Sequence, residues 1–309
     1  VSALRLATRA SALARTQSET VAAALATASG REVVLVEVST QGDRDRTTPL
    51  AELGGVGVFV SAVREAVLAG DADLAVHSLK DLPTADPEGL ALGAVPTRED
   101  PSDVLVARDG ATVASLPRGA RVGTGSPRRA AMLRALRPDL DVVAVRGNVD
   151  TRLRAVTDGS LDAVVLARAG LARLDRLDAV TEVLGPDQML PAPGQGALAV
   201  ECRDDDVALL DALGPLDDPD TRAAVVAERA LLAALEAGCS APVGALATVA
   251  AQGGESHVHL TGAVVSLDGR HQVRSSVTGA AGDAVSVGHA LAVDLVAAGA
   301  PGLAPRSAS

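Results

Sequence analysis

Two short polar clusters in an otherwise aliphatic sequence have residue types suited to chemistry. The first is HSLKD, with His77, Ser78, Lys80 and Asp81 closing the apolar run ADLAV. A lysine beside a carboxylate, in a loop after a strand, can hold a substrate anion with the amine. The acid can then stabilise a cation or pass a proton. The same residues would also form a solvated turn with a local ion pair, and His77 alternates with inward strand positions as a core histidine does.

The second cluster is GTGSPRRAAMLRAL. Ser126 can cap a helix and Pro127 suits its first position. Arg128 and Arg129 then fall in the first turn, against the helix dipole, at a cost of roughly 0.3–1 kcal/mol each. Free N–H groups at a helix start already favour an anion. Two arginines added there point to an anion with several oxygens, gripped in bidentate fashion; the alternative is that both face water. The arrangement recurs: Arg9 follows a strand with Ser11 two residues on, Arg146 follows another, and Arg152 opens the next helix. Ligands of open α/β sheets collect at such carboxyl ends. With no phosphate loop, no magnesium-binding carboxylate set and almost no aromatic residues for stacking, carboxylates or a small phosphate fit better than a nucleotide.

Weaker signals surround these. Gly54, Gly55 and Gly57 in GGVG lack the lysine of a phosphate loop and the spacing of a dinucleotide fingerprint, and read as a flexible loop, with Phe59 just beyond as a core aromatic. Cys239 follows a helix and the stop glycine Gly238, where the dipole gives a thiolate no help. It reads as a buried small hydrophobe or as an attachment point, and not as a protease nucleophile. Cys202, in ALAVEC, reads as a core cysteine. His257 and His259 share a strand face with no third ligand in view, and Asp204 to Asp206 read as a helix start; no metal site is expected.

These residues must be positioned by alternating strands and helices. The pattern predicts strands at Leu4 to Ala7, Val33 to Val38, Ala72 to Val76 and Leu90 to Val95, with helices from Ser11 to about Ala28 and from about Val60 to Leu68. REDPSD, from Arg98 to Asp103, reads as a crossing into a second lobe. There Val104 to Ala107, Arg121–Val122, Val142 to Val145 and Ala163 to Ala167 are strands. Ala197 to Glu201 reads as a strand that returns to the first lobe. The fold class is therefore α/β: two lobes with mainly parallel sheets, residues 1–97 with 197–216 and residues 102–192. A small α+β domain over 220–300 follows. It has a helix from Asp220 or Thr221 to about Ala237, strands near Val243 to Ala250, Val258 to Leu267 and Gln272 to Thr278, and a helix over Asp283 to Ala298. Asp268–Gly269 is the hairpin turn.

The 309 residues carry a net charge of −11, which argues against coating nucleic acid or an anionic membrane. Two cysteines cannot build a disulfide framework. With no Trp, no Tyr and one Phe, a ring-shaped ligand must be held by charge, hydrogen bonds and aliphatic contact. The opening residues lack a signal-peptide pattern and no apolar run spans a bilayer, so a cytoplasmic protein is expected, and with no long apolar seam in the sequence a monomer is expected.

LRLATRASALA, GVGVF, AVHSLKDLPT, REDPSD, VGTGSPRRA, VRGNVDTRL, DAVVLARAGLARL, LPAPGQGALAVECR and AERALLAALEAGCSAPVG, in this order and spacing, resemble the porphobilinogen deaminase family over nearly the whole chain. The resemblance implies periplasmic-binding-protein-like lobes and a third domain bearing the cysteine. It implies a transferase that deaminates four porphobilinogen molecules and joins them into linear hydroxymethylbilane, releasing ammonia. It also implies a dipyrromethane cofactor held by a thioether to Cys239, with Asp81 as the catalytic acid. Arg9, Ser11, Lys80, Arg128, Arg129, Arg146, Arg152 and Arg173 match residues that hold carboxylates. Ser126 falls in a cofactor-contact loop, and Gly55, Gly57 and Phe59 lie at the cleft. The rival is a non-enzymatic two-lobed protein that binds a small polyanion. The chain departs from the family at Glu52 and Val56, where lysines are common, so a loop-lysine role does not carry over. It also departs at Gly125, Pro127, Asp150 and Ala241, none of which removes a catalytic side chain.

Overall fold

The computed structural model describes residues 2–39, 57–85, 87–236 and 241–303. The chain divides into two compact units, Val1–Glu99 with Ala197–Arg222, and Asp100–Gly196 with Ala223–Ser309.

The first unit opens with β1 (Leu4–Arg9) and α1 (Ala12–Ser29). Ser11 starts α1 because its hydroxyl accepts from the Ala14 N–H at 3.3 Å. β2 (Val33–Val38), α2 (Gly57–Leu68), β3 (Leu74–Ser78) and β4 (Leu90–Ala94) follow. The second unit begins with β5 (Asp103–Ala107), β6 (Arg121–Thr124), α3 (Pro127–Leu136), β7 (Asp141–Ala144), α4 (Val149–Thr157), β8 (Ala163–Ala167), α5 (Arg168–Arg173) and β9 (Glu182–Leu184). The chain then returns to the first unit for β10 (Leu198–Arg203) and α6 (Val207–Leu213). Helix α7 (Pro219–Ala234) leads to β11 (Val243–Gln252), β12 (Glu255–Val265), β13 (Gln272–Ala280) and α8 (Ala284–Ala297).

The first sheet has the order β2-β1-β3-β10-β4 and the second β7-β6-β8-β5-β9. Both follow one plan. Three parallel strands run second-first-third, and a strand from elsewhere in the chain is inserted antiparallel between the third and the last. The sheets are thus mixed, with β10 and β5 reversed. The segment after Ala197 supplies β10, which pairs with β3 and β4. Leu6, Leu25, Leu74, Val200 and Leu213 form one core of the first lobe; Leu105, Val122, Leu133 and Val165 form one of the second. With aromatic rings nearly absent, both are filled by Leu, Val and Ala.

The C-terminal domain is an antiparallel sheet, β11-β12-β13, packed on α7 and α8 through Leu231, Val258, Leu260, Leu291 and Leu295. Ala263 and Val265 of β12 join the core of the second lobe beside Met132 and Leu190. The β12–β13 turn sits against α3, where a Cβ on Gly269 would lie 2.6 Å from the Ala135 nitrogen and 2.8 Å from the Ala131 carbonyl. Only glycine fits there, which explains the Asp268–Gly269 pair.

The helix expected to run to Ala237 ends sooner. α7 stops at Ala234 and Glu236 takes a left-handed φ of 49°, so the reversal precedes Gly238. Gly238 lies outside the described residues, as do Cys239, Gly54, Gly55, Glu52 and Val56.

Candidate active site

Each lobe presents its polar residues at the carboxyl edge of its parallel strands. In the first lobe Arg9 ends β1 and Ser11 caps α1. Lys80 and Asp81, both half-buried, lie in a single 3₁₀ turn, Leu79–Asp81, at the end of β3. β1 and β3 are parallel neighbours, which puts these residues on one edge. In a 3₁₀ turn successive side chains point about 120° apart, so Lys80 and Asp81 diverge. The turn is pinned by its surroundings: Gln17 Nε2 donates to Ser78 Oγ at 2.9 Å, and the Leu79 N–H donates to the Ala197 carbonyl at 3.0 Å.

Behind that turn lies a charge network not anticipated from sequence. Glu201 of β10 is 2% exposed. Arg64 of α2 forks onto it, Nε at 2.9 Å and Nη2 at 2.7 Å. His77 is buried, with Nε2 3.4 Å from the same carboxylate. Burial pushes the Glu201 carboxyl up, but the Arg64 fork and His77 outweigh it and hold the group at about 2. His77 is therefore a core histidine beside a carboxylate.

In the second lobe the loops after β6, β7 and β8 carry the arginines. Ser126 caps α3, accepting from the Arg129 N–H at 3.4 Å, with Pro127 first in the helix. Gly125 allows a close approach there: a Cβ would sit 2.8 Å from the Val145 carbonyl oxygen and 3.9 Å from Arg152 Nη2. Arg128 and Arg129 do not face water. They are 3% and 6% exposed and converge on Asp103, which is wholly inaccessible. Arg128 Nη2 donates to Asp103 Oδ2 at 2.7 Å; Arg129 Nη2 and Nε reach Oδ1 at 2.7 and 2.9 Å. Arg128 Nη1 also donates to the Leu190 carbonyl at 2.6 Å, and Arg129 Nη1 to that of Val165 at 3.2 Å. Burial pushes the Asp103 carboxyl up, but the two arginine charges and a hydrogen bond from Gln195 bring it to about 2. One carboxylate thus faces two guanidiniums. Arg152 adds a third cation nearby, its pKa pushed down to about 10 by burial and then by Arg129. Arg146, between β7 and α4, has Nη1 buried without a hydrogen-bond partner among the described residues. Arg173, ending α5, donates to the Gly196 carbonyl at 2.7 Å.

The remaining residues are bland or outside view. Gly57 and Phe59 fall in the first turn of α2, where only the backbone is described. Cys202 is inaccessible, its thiol pushed up to about 11 by burial and then by Asp206. Asp206 caps α6, accepting from the Leu209 N–H at 3.1 Å. His259 lies 2.9 Å from the Thr278 hydroxyl. Among the described residues no group of three His, Cys, Asp or Glu side chains could hold a metal, and no helix is long and apolar enough to cross a membrane. Sequence reasoning missed Arg64, Glu201, Asp103 and Gln195. The available signal was a charged residue inside or abutting an apolar strand, as in ALAVEC and DVLVA.

The first lobe thus carries an acid and a lysine in the turn after β3, and the second carries buried guanidiniums gathered on Asp103. Comparison with known proteins makes this specific. Residues 4–211 match the family described as "Porphobilinogen deaminase, dipyromethane cofactor binding domain", and residues 222–297 match "Porphobilinogen deaminase, C-terminal domain". The chain is 56% identical over 310 residues to "Porphobilinogen deaminase 1" of Streptomyces coelicolor, covering 97% of each. It is 56% identical over 302 residues to the "Porphobilinogen deaminase" of Mycobacterium tuberculosis, covering 96% of this chain and 97% of that one. Among solved structures, an arginine-specific periplasmic binding protein of Salmonella typhimurium is similar at 18% identity and a TM-score of 0.42, covering 72% of this chain and 94% of its own. The chain belongs to the porphobilinogen deaminase family. It is a transferase that deaminates porphobilinogen and condenses it into hydroxymethylbilane on a dipyrromethane primer.

Proposed function

We propose that Asp81 is the catalytic acid of this reaction, that the primer is attached to Cys239, and that the arginines of the second lobe hold its carboxylates. One observation carries the reading: guanidinium charge buried beyond what Asp103 neutralises. Burying a cation is costly unless it is paired. Among the described residues Arg128, Arg129 and Arg152 crowd together around the Asp103 carboxylate, and Arg146 Nη1 and Arg128 Nε are buried with no hydrogen-bond partner there. A dipyrromethane with acetate and propionate groups supplies the missing anions, so the residues present fit it. Arg128, Arg129, Arg146, Arg152 and Arg173 would hold those groups, with Ser126 at the α3 N-terminus. When bound, the group supplies a nucleophilic pyrrole carbon.

The rest is done by the chain's own side chains. Arg9, Ser11 and Lys80 orient the incoming porphobilinogen by its carboxylates. Loss of ammonia from porphobilinogen leaves a methylene-pyrrole cation. The Asp81 carboxylate accepts the pyrrole N–H and stabilises that charge. It also holds the proton that leaves with the amine and accepts one when the ring regains aromaticity. The family resemblance assigns Gly55, Gly57 and Phe59 to the same cleft. The protein acts as a cytoplasmic monomer, which light scattering on the purified chain checks.

Intact-protein mass tests the attachment. The wild type should be heavier than its sequence by a two-pyrrole adduct, and Cys239→Ser should lose that mass. An adduct that survives in Cys239→Ser, or none in either protein, overturns it. Ammonia release from porphobilinogen by the loaded wild type checks the chemistry.

A further inference from the structure

We propose that Asp103 is a positioning residue for the carboxylate-binding site. From the inserted strand β5 it fixes the Arg128 and Arg129 guanidiniums, with Gln195 as second guide, so that a pyrrole carboxylate meets a preset pair. This rests on the reading above that these arginines bind such carboxylates.

The carboxylate is shared between the two arginines and the glutamine. Arg128 Nη2 donates to Oδ2 at 2.7 Å, while Arg129 Nε and Gln195 Nε2 both donate to Oδ1 at 2.9 Å, with Arg129 Nη2 2.7 Å from the same oxygen. Gln195 is itself wholly buried, anchored by Nε2 to the Pro101 carbonyl at 2.6 Å, and its Oε1 accepts from Arg129 Nη2 at 3.4 Å. The location also matters. Asp103 pairs with Ala167, the last residue of β8, so the acid lies at the carboxyl edge where α3 begins. Two adjacent cations in a helix's first turn repel each other and oppose its dipole. A single negative charge beneath them holds both in place and leaves their summed charge positive. A second acid would cancel the attraction for ligand; none would let the pair splay.

The competing account is that this triad only fastens β5 to α3. A buried ion pair is weak support for stability, since apolar residues of like volume often serve as well. The two accounts differ in what they predict for ligand binding.

The test uses the full chain with Gln195→Met, Asp103→Asn and Arg129→Lys. It reads adduct occupancy by intact mass, melting temperature, and KM and kcat per adduct-bearing molecule. Gln195→Met loses the hydrogen bonds to Asp103, Pro101 and Arg129 but keeps the charge, so it should melt below the wild type yet remain folded, and raise KM about threefold or more with kcat unchanged. Asp103→Asn should cut adduct occupancy or raise KM by about tenfold or more. Should Asp103→Asn fail to fold, Gln195→Met decides. If Gln195→Met keeps wild-type KM and occupancy while Arg129→Lys shifts them, Asp103 is only a fastener and the proposal falls. If Arg129→Lys shifts neither, the carboxylate-binding reading itself falls.

Discussion

The two lobes share one sheet plan and use it differently. Each inserts a reversed strand beside its third strand, and each inserted strand buries one acid that gathers basic side chains. In the first lobe the acid is Glu201, opposite Ala75, the second residue of β3. Its partners are Arg64 of α2 and His77, below the Lys80–Asp81 turn. In the second lobe the acid is Asp103, opposite the final residue of β8, and its partners are the first two arginines of α3. Moving the acid along its strand from the interior to the carboxyl edge changes its task. At depth it ties a helix to a sheet; at the edge it holds two cations together, and the proposal above gives that pair to the ligand.

If the first lobe holds the reacting acid and the second the anion grip, single substitutions should separate rate from binding. Asp81→Ala should retain the Cys239 adduct and lower kcat at least about 10²-fold. Wild-type turnover in a purified-protein assay would break the comparison at its strongest point. Arg152→Ala, in the second lobe, should raise KM for porphobilinogen about tenfold with a much smaller change in kcat, since a charge-assisted contact of roughly 1.4 kcal/mol is lost. A fall in kcat at constant KM would instead move Arg152 to the reacting centre.

Glu201→Gln should act on stability. The Glu201 carboxyl lies at about 2 in the folded chain against 4.5 for the free group. A depressed carboxyl stabilises the fold fully above its unfolded value, and that stabilisation is lost as pH falls through the folded value. The wild type should therefore lose stability between about pH 4.5 and 2, with Asp103, lowered from 3.8 to about 2, acting in the same direction. Glu201→Gln should cost on the order of 3 kcal/mol at neutral pH and flatten that acid limb, with KM within about twofold of wild type. Guanidinium melts across pH measure the first two effects, and an unaltered acid limb would remove Glu201 from this role.

How far this was legible in the sequence follows the same division. Periodicity placed nearly every strand, because Val- and Leu-rich runs between glycines have few alternatives, and the return at Ala197 could be read from a lone apolar run after PAPGQG. The arginines were legible from their place after strands. Their burial was not: nothing local to Arg128 and Arg129 shows that Asp103, some 25 residues earlier, lies beneath them. Glu201 and Arg64, 137 residues apart, were hidden for the same reason. The pairing of distant charges is a property of strand order, and strand order is not written in local pattern. Asp81 and Cys239 gained their proposed roles from family resemblance, since a carboxylate in a turn and a thiol in a loop have ordinary explanations.

The smallest effect should come from an acid that is neither at depth nor beneath the arginines. Asp150 departs from the glycine common at this place in similar sequences. Its carboxylate pairs with Arg176 at 3.1 Å, and both side chains are close to half exposed. Surface pairs of this kind contribute about 0–1 kcal/mol. Asp150 also lies in the first turn of α4, after the Asn148 cap, where a negative charge favours the dipole by a few tenths of a kcal/mol, and glycine is a poorer helix former than aspartate. All three terms destabilise Asp150→Gly slightly, by about 1 kcal/mol in total. On the binding side, removing a screened negative charge leaves the neighbouring arginines marginally more attractive to anions, so KM should fall, by less than about twofold. A thermal melt and a KM titration at low and high salt check both, and the KM difference should vanish at high salt. A large loss of affinity in Asp150→Gly would show that an exposed acid, as well as the buried Asp103, orders the arginines of the second lobe.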